Sequence, residues 1–240
     1  MKYFQMICFA SFLFLASSLK AQEDSVTARL NQSNDWPQLR RYRGENIKAG
    51  LPAANEKRVV FMGNSITDAW INTDPDFFNG KPYLDRGISG QTTPQMLVRF
   101  RQDVIDLKPK AVAILAGIND IAENTGPSSL QMIENNLMSM AQLAKANGIK
   151  VVFCSVLPAR AFPWRPGIDP VQSITELNKW IKNYAQKNDF VYVDYYDAMV
   201  DSQKGLPANL SKDGVHPTLE GYRIMEPLVV KGIEKALKHK

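Results

Sequence analysis

Five short apolar runs, separated by longer amphipathic stretches, give the chain its pattern. β-branched and aromatic residues are frequent in these runs, which predicts strands that are covered on both faces. The predicted strands are residues 59–63, 83–87, 111–116, 150–156 and 190–193. Two of the runs, 59–63 and 111–116, stop at small polar turns. Since open α/β sheets bind ligands at the carboxyl ends of their strands, these turns are the first places to look for chemistry.

The stretches between the strands repeat apolar residues at helical spacing. They predict helices over residues 94–107, 125–147, 171–184 and from about residue 218 toward the end, with a further short helix at 36–47. Strands that alternate with helices imply a parallel sheet with helices on both faces. A length of 240 residues, of which 45% are hydrophobic, suits one such α/β domain.

The amino-terminal residues are predicted to form a secretory signal peptide. Residues 1–21 combine Lys2, a short apolar core and a small residue, Ala21, at which cleavage can occur. We expect a loose leader with the short helix over residues 22–56 and the α/β domain over residues 57–240. A lipid anchor on Cys8 is the weaker option, because the small residues of a lipoprotein cleavage box do not precede it. The mature chain has no other apolar stretch of membrane-spanning length.

Charge and cysteine content narrow the possible functions. Removal of residues 1–21 takes away two lysines and no acid, so the formal charge falls from +5 to +3. The basic residues are dispersed, without an aromatic-interleaved basic stripe, which argues against a nucleic-acid partner. Cys154 is the one cysteine left after cleavage, so an intramolecular disulfide cannot form. Its place in an apolar run predicts a small buried side chain rather than a reactive thiol.

Ser65 follows the first predicted strand directly and has two possible roles. It can be a nucleophile at the mouth of a site, or it can join Asn64 and Thr67 in capping the next helix. A serine nucleophile needs a base, a group that orients the base and donors for an oxyanion. The remaining chain therefore has to supply these groups.

The chain has two histidines, of which His216 is the credible base. His239 lies between two lysines at the terminus, where a defined geometry is not expected. Asp213 precedes His216 by three residues across a turn that contains Gly214, so its carboxylate can reach the imidazole Nδ1 and leave Nε2 for Ser65. The alternative is that this pair only caps the last helix.

Two other turns supply donors for an oxyanion. Gly90 follows the second predicted strand and offers its backbone N–H. Asn119 follows the third and offers its side-chain amide. The backbone N–H of Ser65 is a third donor. A parallel sheet would gather all of these groups at one edge.

Four sequence blocks, taken together, resemble those of the SGNH (GDSL-type) hydrolases in the same order. The blocks are Gly63-Asn64-Ser65-Ile66-Thr67, Arg86-Gly87-Ile88-Ser89-Gly90-Gln91-Thr92, Gly117-Ile118-Asn119-Asp120 and Asp213-Gly214-Val215-His216. The resemblance covers residue 57 to the carboxyl terminus and is strongest for the platelet-activating-factor acetylhydrolase-like branch. It implies a flavodoxin-like three-layer α/β/α sandwich of about five parallel strands. One departure is Asn64, where many members carry aspartate, so a role that needs charge at this position is in doubt.

Carried over by position, the resemblance implies a role for each group. Ser65 is the nucleophile, His216 the base and Asp213 the acid that orients it, while Ser65, Gly90 and Asn119 form the oxyanion hole. The alternative α/β-hydrolase fold is disfavoured, since its Gly-x-Ser-x-Gly elbow is absent and the aspartate lies just before the histidine.

Several residues near these blocks have other expected roles. Asp68 and Asp120 are expected to hold turns by hydrogen bonding rather than to act in catalysis. The long loop 157–170 contains Trp164 and Arg165, which can bind substrate, although Trp164 can equally be a packing residue. One usable histidine and one buried cysteine do not make a metal site, so we expect neither a metal nor another cofactor.

The sequence thus predicts a secreted or periplasmic serine esterase. Its expected substrates are small-molecule or glycan esters with a short acyl group, often acetyl, and the expected intermediate is an acyl-enzyme. A lysophospholipase or an acyl thioesterase on the same fold is one alternative. A carbohydrate-binding protein without catalytic activity is another, and the sequence leaves the oligomeric state open.

Overall fold

The structure, a computed structural model, describes residues 35–238. This part of the chain divides after Arg40 into two units. In the first, the Asp35 carboxylate accepts hydrogen bonds from the backbone N–H groups of Leu39 and Arg40, at 2.9 and 3.1 Å. The second unit, from Arg41 onward, contains the sheet and the helices. The predicted signal peptide lies outside the described residues.

A five-stranded parallel sheet forms the centre of the second unit. Its strands are β1 (Val59–Gly63), β2 (Tyr83–Gly87), β3 (Ala111–Leu115), β4 (Lys150–Cys154) and β5 (Val191–Val193), in the order β2-β1-β3-β4-β5. Every residue of β1 and β3 is buried, as the apolar runs predicted. Cys154 ends β4 as a buried free thiol whose pKa burial raises to about 12.

Helices cover both faces of this sheet. They are α1 (Arg43–Ala49), α2 (Ser65–Asp68), α3 (Trp70–Thr73), α4 (Thr93–Asp103), α5 (Ile118–Ile121), α6 (Leu130–Ala146), α7 (Val171–Lys187), α8 (Tyr195–Met199) and α9 (Leu219–Lys238), with 3₁₀ turns at Pro75–Phe77 and Ile105–Leu107. Apolar residues of α4, α6 and α7 pack on one face, and those of α3, α8 and α9 pack on the other. The predicted three-layer α/β/α sandwich is therefore confirmed.

Several predicted boundaries differ from the observed ones. The helix predicted over residues 94–107 ends at Asp103 and continues as a 3₁₀ turn, after which Lys108 adopts a left-handed conformation. The helix predicted from residue 125 begins at Leu130, where the Ser129 side chain caps it. Strand β4 stops before Val156, whose N–H and C=O bond to the Asn178 side chain at 2.8 and 2.9 Å.

The amino-terminal helix also lies later than predicted. Its pattern indicated residues 36–47, whereas α1 covers Arg43–Ala49 and ends at Gly50, with φ 54°. Sequence analysis expected a helix after Ser65 but assigned no range to α2, α3, α5 or α8, because helices of four or five residues are too short to show a helical period. Among residues 35–238, no helix is both long and apolar enough to cross a bilayer.

Candidate active site

Three neighbouring strands bring the predicted serine and the predicted oxyanion donors to the same edge. Gly63 at the end of β1 is in register with Gly87 of β2 on one side and with Leu115 of β3 on the other. Ser65, Gly90 and Asn119 follow these three strand ends within a few residues. The shared register places the turns side by side at the carboxyl edge of the sheet.

The turn between β1 and α2 is tightly packed. A Cβ atom on Gly63 would lie 2.0 Å from Thr67 Oγ1, so a larger residue does not fit there without a shift. The Asn64 Oδ1 accepts the Ile66 N–H at 3.1 Å and caps α2. Ser65 is the first residue of the helix, and capping by Asn64 leaves its hydroxyl available for other partners. The neutral amide of Asn64 is sufficient for this cap.

Ser65, His216 and Asp213 form a continuous chain of hydrogen bonds. Ser65 Oγ lies 2.8 Å from His216 Nε2, and His216 Nδ1 lies 2.6 Å from Asp213 Oδ2. An ionised carboxylate can only accept, so the imidazole Nδ1 donates to Asp213. In the neutral imidazole, Nε2 is then the acceptor for the Ser65 hydroxyl. This arrangement can remove a proton from the serine as it attacks an electrophile.

The loop before α9 holds the Asp213 carboxylate in place. Ser211 and Pro217 form an isolated antiparallel bridge that closes the loop. Burial would raise the pKa of the Asp213 carboxyl, but hydrogen bonds from the His216 backbone, the His216 side chain and the Val215 backbone outweigh it. The pKa of Asp213 is therefore lowered to about 2. Asp213 consequently carries its charge throughout the neutral pH range.

The predicted oxyanion donors have suitable surroundings. Gly90 has a φ of 79°, a conformation that glycine adopts without strain. The buried Asn119 donates one amide hydrogen to the Gln91 carbonyl at 2.9 Å, which orients the amide and leaves its second hydrogen for a ligand. Within the described residues, we find no acceptor for the backbone N–H of Ser65 or of Gly90.

Trp164 and Arg165 of the 157–170 loop have different positions. The Trp164 ring centroid lies 6.0 Å from that of His216, and the residue is 40% exposed. Its indole Nε1 donates to Asn124 Oδ1 at 2.9 Å. Arg165 instead donates to the Glu123 carbonyl at 2.9 Å. The loop therefore places the indole beside the histidine and directs the guanidinium to the turn after α5.

The two aspartates next to the motifs join separate elements. Asp68 Oδ2 accepts from the Ser89 N–H and hydroxyl at 3.1 and 2.6 Å. The buried Asp120 accepts from the Thr93 N–H and hydroxyl at the start of α4. Burial raises the pKa of Asp120 to about 6 although Thr93 donates to it. Their hydrogen bonds hold turns, as expected, but each turn belongs to another strand or helix.

Sequence analysis missed three residues that hold the site together. The Tyr42 hydroxyl donates to the Gly87 carbonyl, and the buried Arg99 guanidinium donates to the Gly63 carbonyl at 3.0 Å. Asn124 contacts both Gly90 and Trp164. One signal in the sequence could have found Arg99: it lies three residues after Met96, on the apolar side of α4.

A pocket of about 390 Å³ adjoins the histidine. It is lined by Thr73, Lys212, Asp213, His216, Pro217, Thr218 and Leu219. Its size is at the lower end of the range for small-molecule sites. The pocket and the Trp164 ring are two surfaces next to His216 that can contact a substrate.

Comparison with known proteins shows the family of the chain. Residues 61–224 match the model of the GDSL-like Lipase/Acylhydrolase family. A candidate acylhydrolase from Bacteroides fragilis has a solved structure that is 52% identical to this chain. It superposes with a TM-score of 0.84 and covers 86% of this chain and 100% of its own.

Two curated relatives match more locally. The chain is 37% identical over 129 residues to the uncharacterized lipoprotein YqeF of Bacillus subtilis, which is 47% of this chain and 53% of that protein. It is 28% identical over 151 residues to an acetylxylan esterase of Geobacillus stearothermophilus, 59% of this chain and 67% of that enzyme. The match thus spans about half the length of the lipoprotein and two thirds of the esterase.

The family match includes the Ser65 turn and the Asp213–His216 loop, which are the parts of the chain that the structure brings into contact. The match to the Bacteroides structure covers that protein's whole length. The chain belongs to the GDSL-like lipase/acylhydrolase family of carboxylic ester hydrolases.

Proposed function

We propose that this protein is a serine esterase that hydrolyses short-chain O-acyl esters, with acetyl groups on carbohydrates as the preferred class. The hydrogen-bond chain from Ser65 through His216 to Asp213, at 2.8 and 2.6 Å, carries the proposal. Binding alone would require neither a nucleophile nor an oriented base. The chain is therefore proposed to be an enzyme rather than a carbohydrate-binding protein.

The first half of the reaction acylates the serine. His216 Nε2 takes the proton of the Ser65 hydroxyl while Oγ attacks the carbonyl carbon of the ester. The negative oxygen of the tetrahedral intermediate accepts hydrogen bonds from the Ser65 and Gly90 backbone N–H groups and the Asn119 amide. The carbon–oxygen bond to the alcohol then breaks, and His216 gives its proton to the departing alkoxide. An alcohol leaves, and an acyl-Ser65 ester remains.

The second half regenerates the enzyme. His216 removes a proton from a water molecule, whose oxygen attacks the acyl-Ser65 carbonyl. The same three donors stabilise the new oxyanion. When this intermediate collapses, Ser65 Oγ leaves and takes the proton back from His216, and the free carboxylic acid is released. Asp213 stays ionised and stabilises the imidazolium in both halves.

Three observations support a small acyl group on a sugar. One relative is an acetylxylan esterase. Trp164 is 40% exposed beside His216, and an exposed aromatic ring can pack against a sugar ring. The pocket of about 390 Å³ beside the triad suits a small group. A lysophospholipase or acyl thioesterase would use the same triad on a longer acyl chain.

The decisive variant is Ser65→Ala. It should lower kcat by about 10⁴-fold or more with the fold intact, because the nucleophile is removed. A fluorophosphonate probe should label the wild-type protein at Ser65 and should not label the variant. Ser139→Ala, on α6, is the matched control and should retain full turnover and labelling. Full turnover in Ser65→Ala would refute the assignment.

A substrate panel tests the substrate class separately. It contains acetylated sugars, p-nitrophenyl esters of increasing acyl length and lysophosphatidylcholine. We expect the largest kcat/KM for acetyl esters. A preference for long chains would favour the lysophospholipase or thioesterase alternative, and sugar binding without hydrolysis or labelling would favour the non-catalytic one.

We further propose that the protein is exported. Residues 1–21 have the pattern of a cleavable signal peptide, and the Bacillus relative is described as a lipoprotein. Secretion or periplasmic release after cleavage at Ala21 is the preferred outcome. Lipid attachment through Cys8 is the alternative, and the description of this relative as a lipoprotein supports it.

A further inference from the structure

Asn124, in the turn after α5, contacts both loops that supply the proposed oxyanion donors. Its backbone N–H donates to the Asn119 carbonyl at 3.0 Å. Its side-chain Nδ2 donates to the Gly90 carbonyl in a long hydrogen bond of 3.4 Å. Because Asn119 Nδ2 also donates to the Gln91 carbonyl, two asparagines join the turn after β3 to the loop after β2.

The Asn124 side chain also contacts Trp164, on the 157–170 loop. Asn124 Oδ1 accepts the Trp164 indole N–H at 2.9 Å. The Asn124 side-chain amide thus bonds to Trp164, whose ring lies 6.0 Å from that of His216, and to Gly90, whose N–H is a proposed oxyanion donor. A half-buried side chain between three loops can fix their relative positions.

The backbone around Asn124 is itself held in an uncommon conformation. Glu123 has a φ of 54°, which is infrequent for a residue other than glycine, and Gly126 has a φ of 107°. The carbonyl of Glu123 accepts from Arg165, so the 157–170 loop is bonded to this turn at two successive residues. The turn therefore contacts the 157–170 loop through both Glu123 and Asn124.

We propose that Asn124 is a positioning residue. It fixes the loop that contains Gly90, a proposed oxyanion donor, and the side chain of Trp164 relative to each other. The inference depends on the proposed esterase function. Its Nδ2 sets the position of the Gly90 peptide, and its Oδ1 sets the orientation of the indole. A small displacement of an oxyanion donor lowers the rate of the chemical step, whereas a displaced indole weakens substrate binding.

The test separates these two contacts by three substitutions. Asn124→Ala removes both and should lower kcat by about 10- to 100-fold. Asn124→Asp retains an acceptor for the indole but has no N–H for the Gly90 carbonyl, so it should lose kcat to a similar extent with KM closer to that of the wild type. Trp164→Phe keeps an aromatic ring without the N–H and should mainly raise KM.

Non-additivity provides a second readout. In the double variant Asn124→Ala/Trp164→Phe, the rise in KM should equal that of Asn124→Ala alone, since both changes break the same hydrogen bond. The rate of fluorophosphonate labelling should fall with kcat in both Asn124 variants, because phosphonylation uses the same oxyanion donors. Asn135→Ala, an exposed asparagine on α6, is the control and should match the wild type.

All assays are run well below the lowest melting temperature, so that a loss of rate does not reflect unfolding. If Asn124→Ala does not fold, Asn124→Asp carries the test alone. Unchanged kcat in the folded Asn124 variants would overturn the proposal, and so would equal losses in kcat from Trp164→Phe. A wild-type protein without esterase activity or labelling would instead refute the proposed function itself.

Discussion

Asp213 receives four hydrogen bonds on its two carboxylate oxygens. The Ser211 hydroxyl and the backbone N–H groups of Val215 and His216 donate to Oδ1, and the His216 ring donates to Oδ2. These bonds favour the ionised form and lower its pKa to about 2, below the ordinary value of 3.8. At the scale of the residue, the site therefore has a fixed negative charge that orients a titratable imidazole.

Asp213→Asn should separate orientation from charge. The amide is isosteric but cannot stabilise the imidazolium and favours the wrong tautomer, so kcat should fall about 10³- to 10⁴-fold with little change in KM. Steady-state kinetics on a p-nitrophenyl acetate assay would measure this. If Asp213 only capped α9, kcat would stay near the wild-type value.

The same variant has a defined effect on acid stability. Because the folded-state pKa of Asp213 is lowered, its stabilising contribution is present above about pH 4 and is lost as the pH falls through about 2. Asparagine does not titrate. The difference in melting temperature between the wild type and Asp213→Asn should therefore be largest above pH 4 and shrink toward pH 2. A difference that grew on acidification would contradict the assignment.

At the scale of the element, Arg99 joins a strand, a loop and a helix. From α4, its guanidinium donates to the Gly63 carbonyl at 3.0 Å, to Gln91 Oε1 at 2.6 Å and to Asp103 Oδ2 at 3.1 Å. The side chains of Arg99 and Asp103 are both 0% exposed. The hydrogen bond to Gly63 thus ties the carboxyl end of β1, which precedes Ser65, to α4, and the buried ion pair with Asp103 neutralises the guanidinium that makes it.

Arg99→Met should lower the free energy of unfolding by about 3–5 kcal/mol, because it leaves the Asp103 carboxylate buried without its cation. Urea denaturation followed by circular dichroism would measure the change. The double variant Arg99→Met/Asp103→Asn removes that charge and should recover part of the loss. Equal stability of Arg99→Met and the wild type would show that the ion pair is energetically neutral.

At the scale of the whole molecule, the sheet brings together residues that are distant in sequence. Ser65 and His216 are 151 positions apart, yet their side chains are hydrogen-bonded. Apolar clusters on both faces bury the strands, so the polar chemistry collects at the carboxyl edge. A solved Bacteroides structure that is 52% identical and superposes with a TM-score of 0.84 shares this fold.

The proposed export concerns the whole molecule as well. Intact-mass spectrometry of the mature protein should show an amino terminus at Gln22, and Cys8→Ser should not change it, because cleavage removes residue 8. An acylated amino-terminal cysteine, lost in Cys8→Ser, would establish the lipid anchor instead. An unprocessed chain retaining Met1 would rule out both.

The local pattern of the chain was sufficient for much of the fold and for the members of the site. Apolar runs and helical periods are properties of short segments, so they predicted the five strands, their parallel arrangement and the helices longer than ten residues. Motifs at three strand ends singled out Ser65, Gly90 and Asn119, and the turn before the last helix singled out Asp213 and His216. Their resemblance, as a set, to the blocks of the SGNH hydrolases favoured acyl transfer over a carbohydrate-binding protein without catalytic activity.

Tertiary structure decided what these residues contact. It made Asn64, rather than Ser65, the side chain that caps α2, and it placed Arg165 on Glu123 while Trp164 lies beside His216. It also buried Arg99, although arginine is usually a surface residue. The contacts of Arg99 and Arg165 depend on carbonyls that other segments supply, and the distance between such segments is not encoded in the period of any one of them.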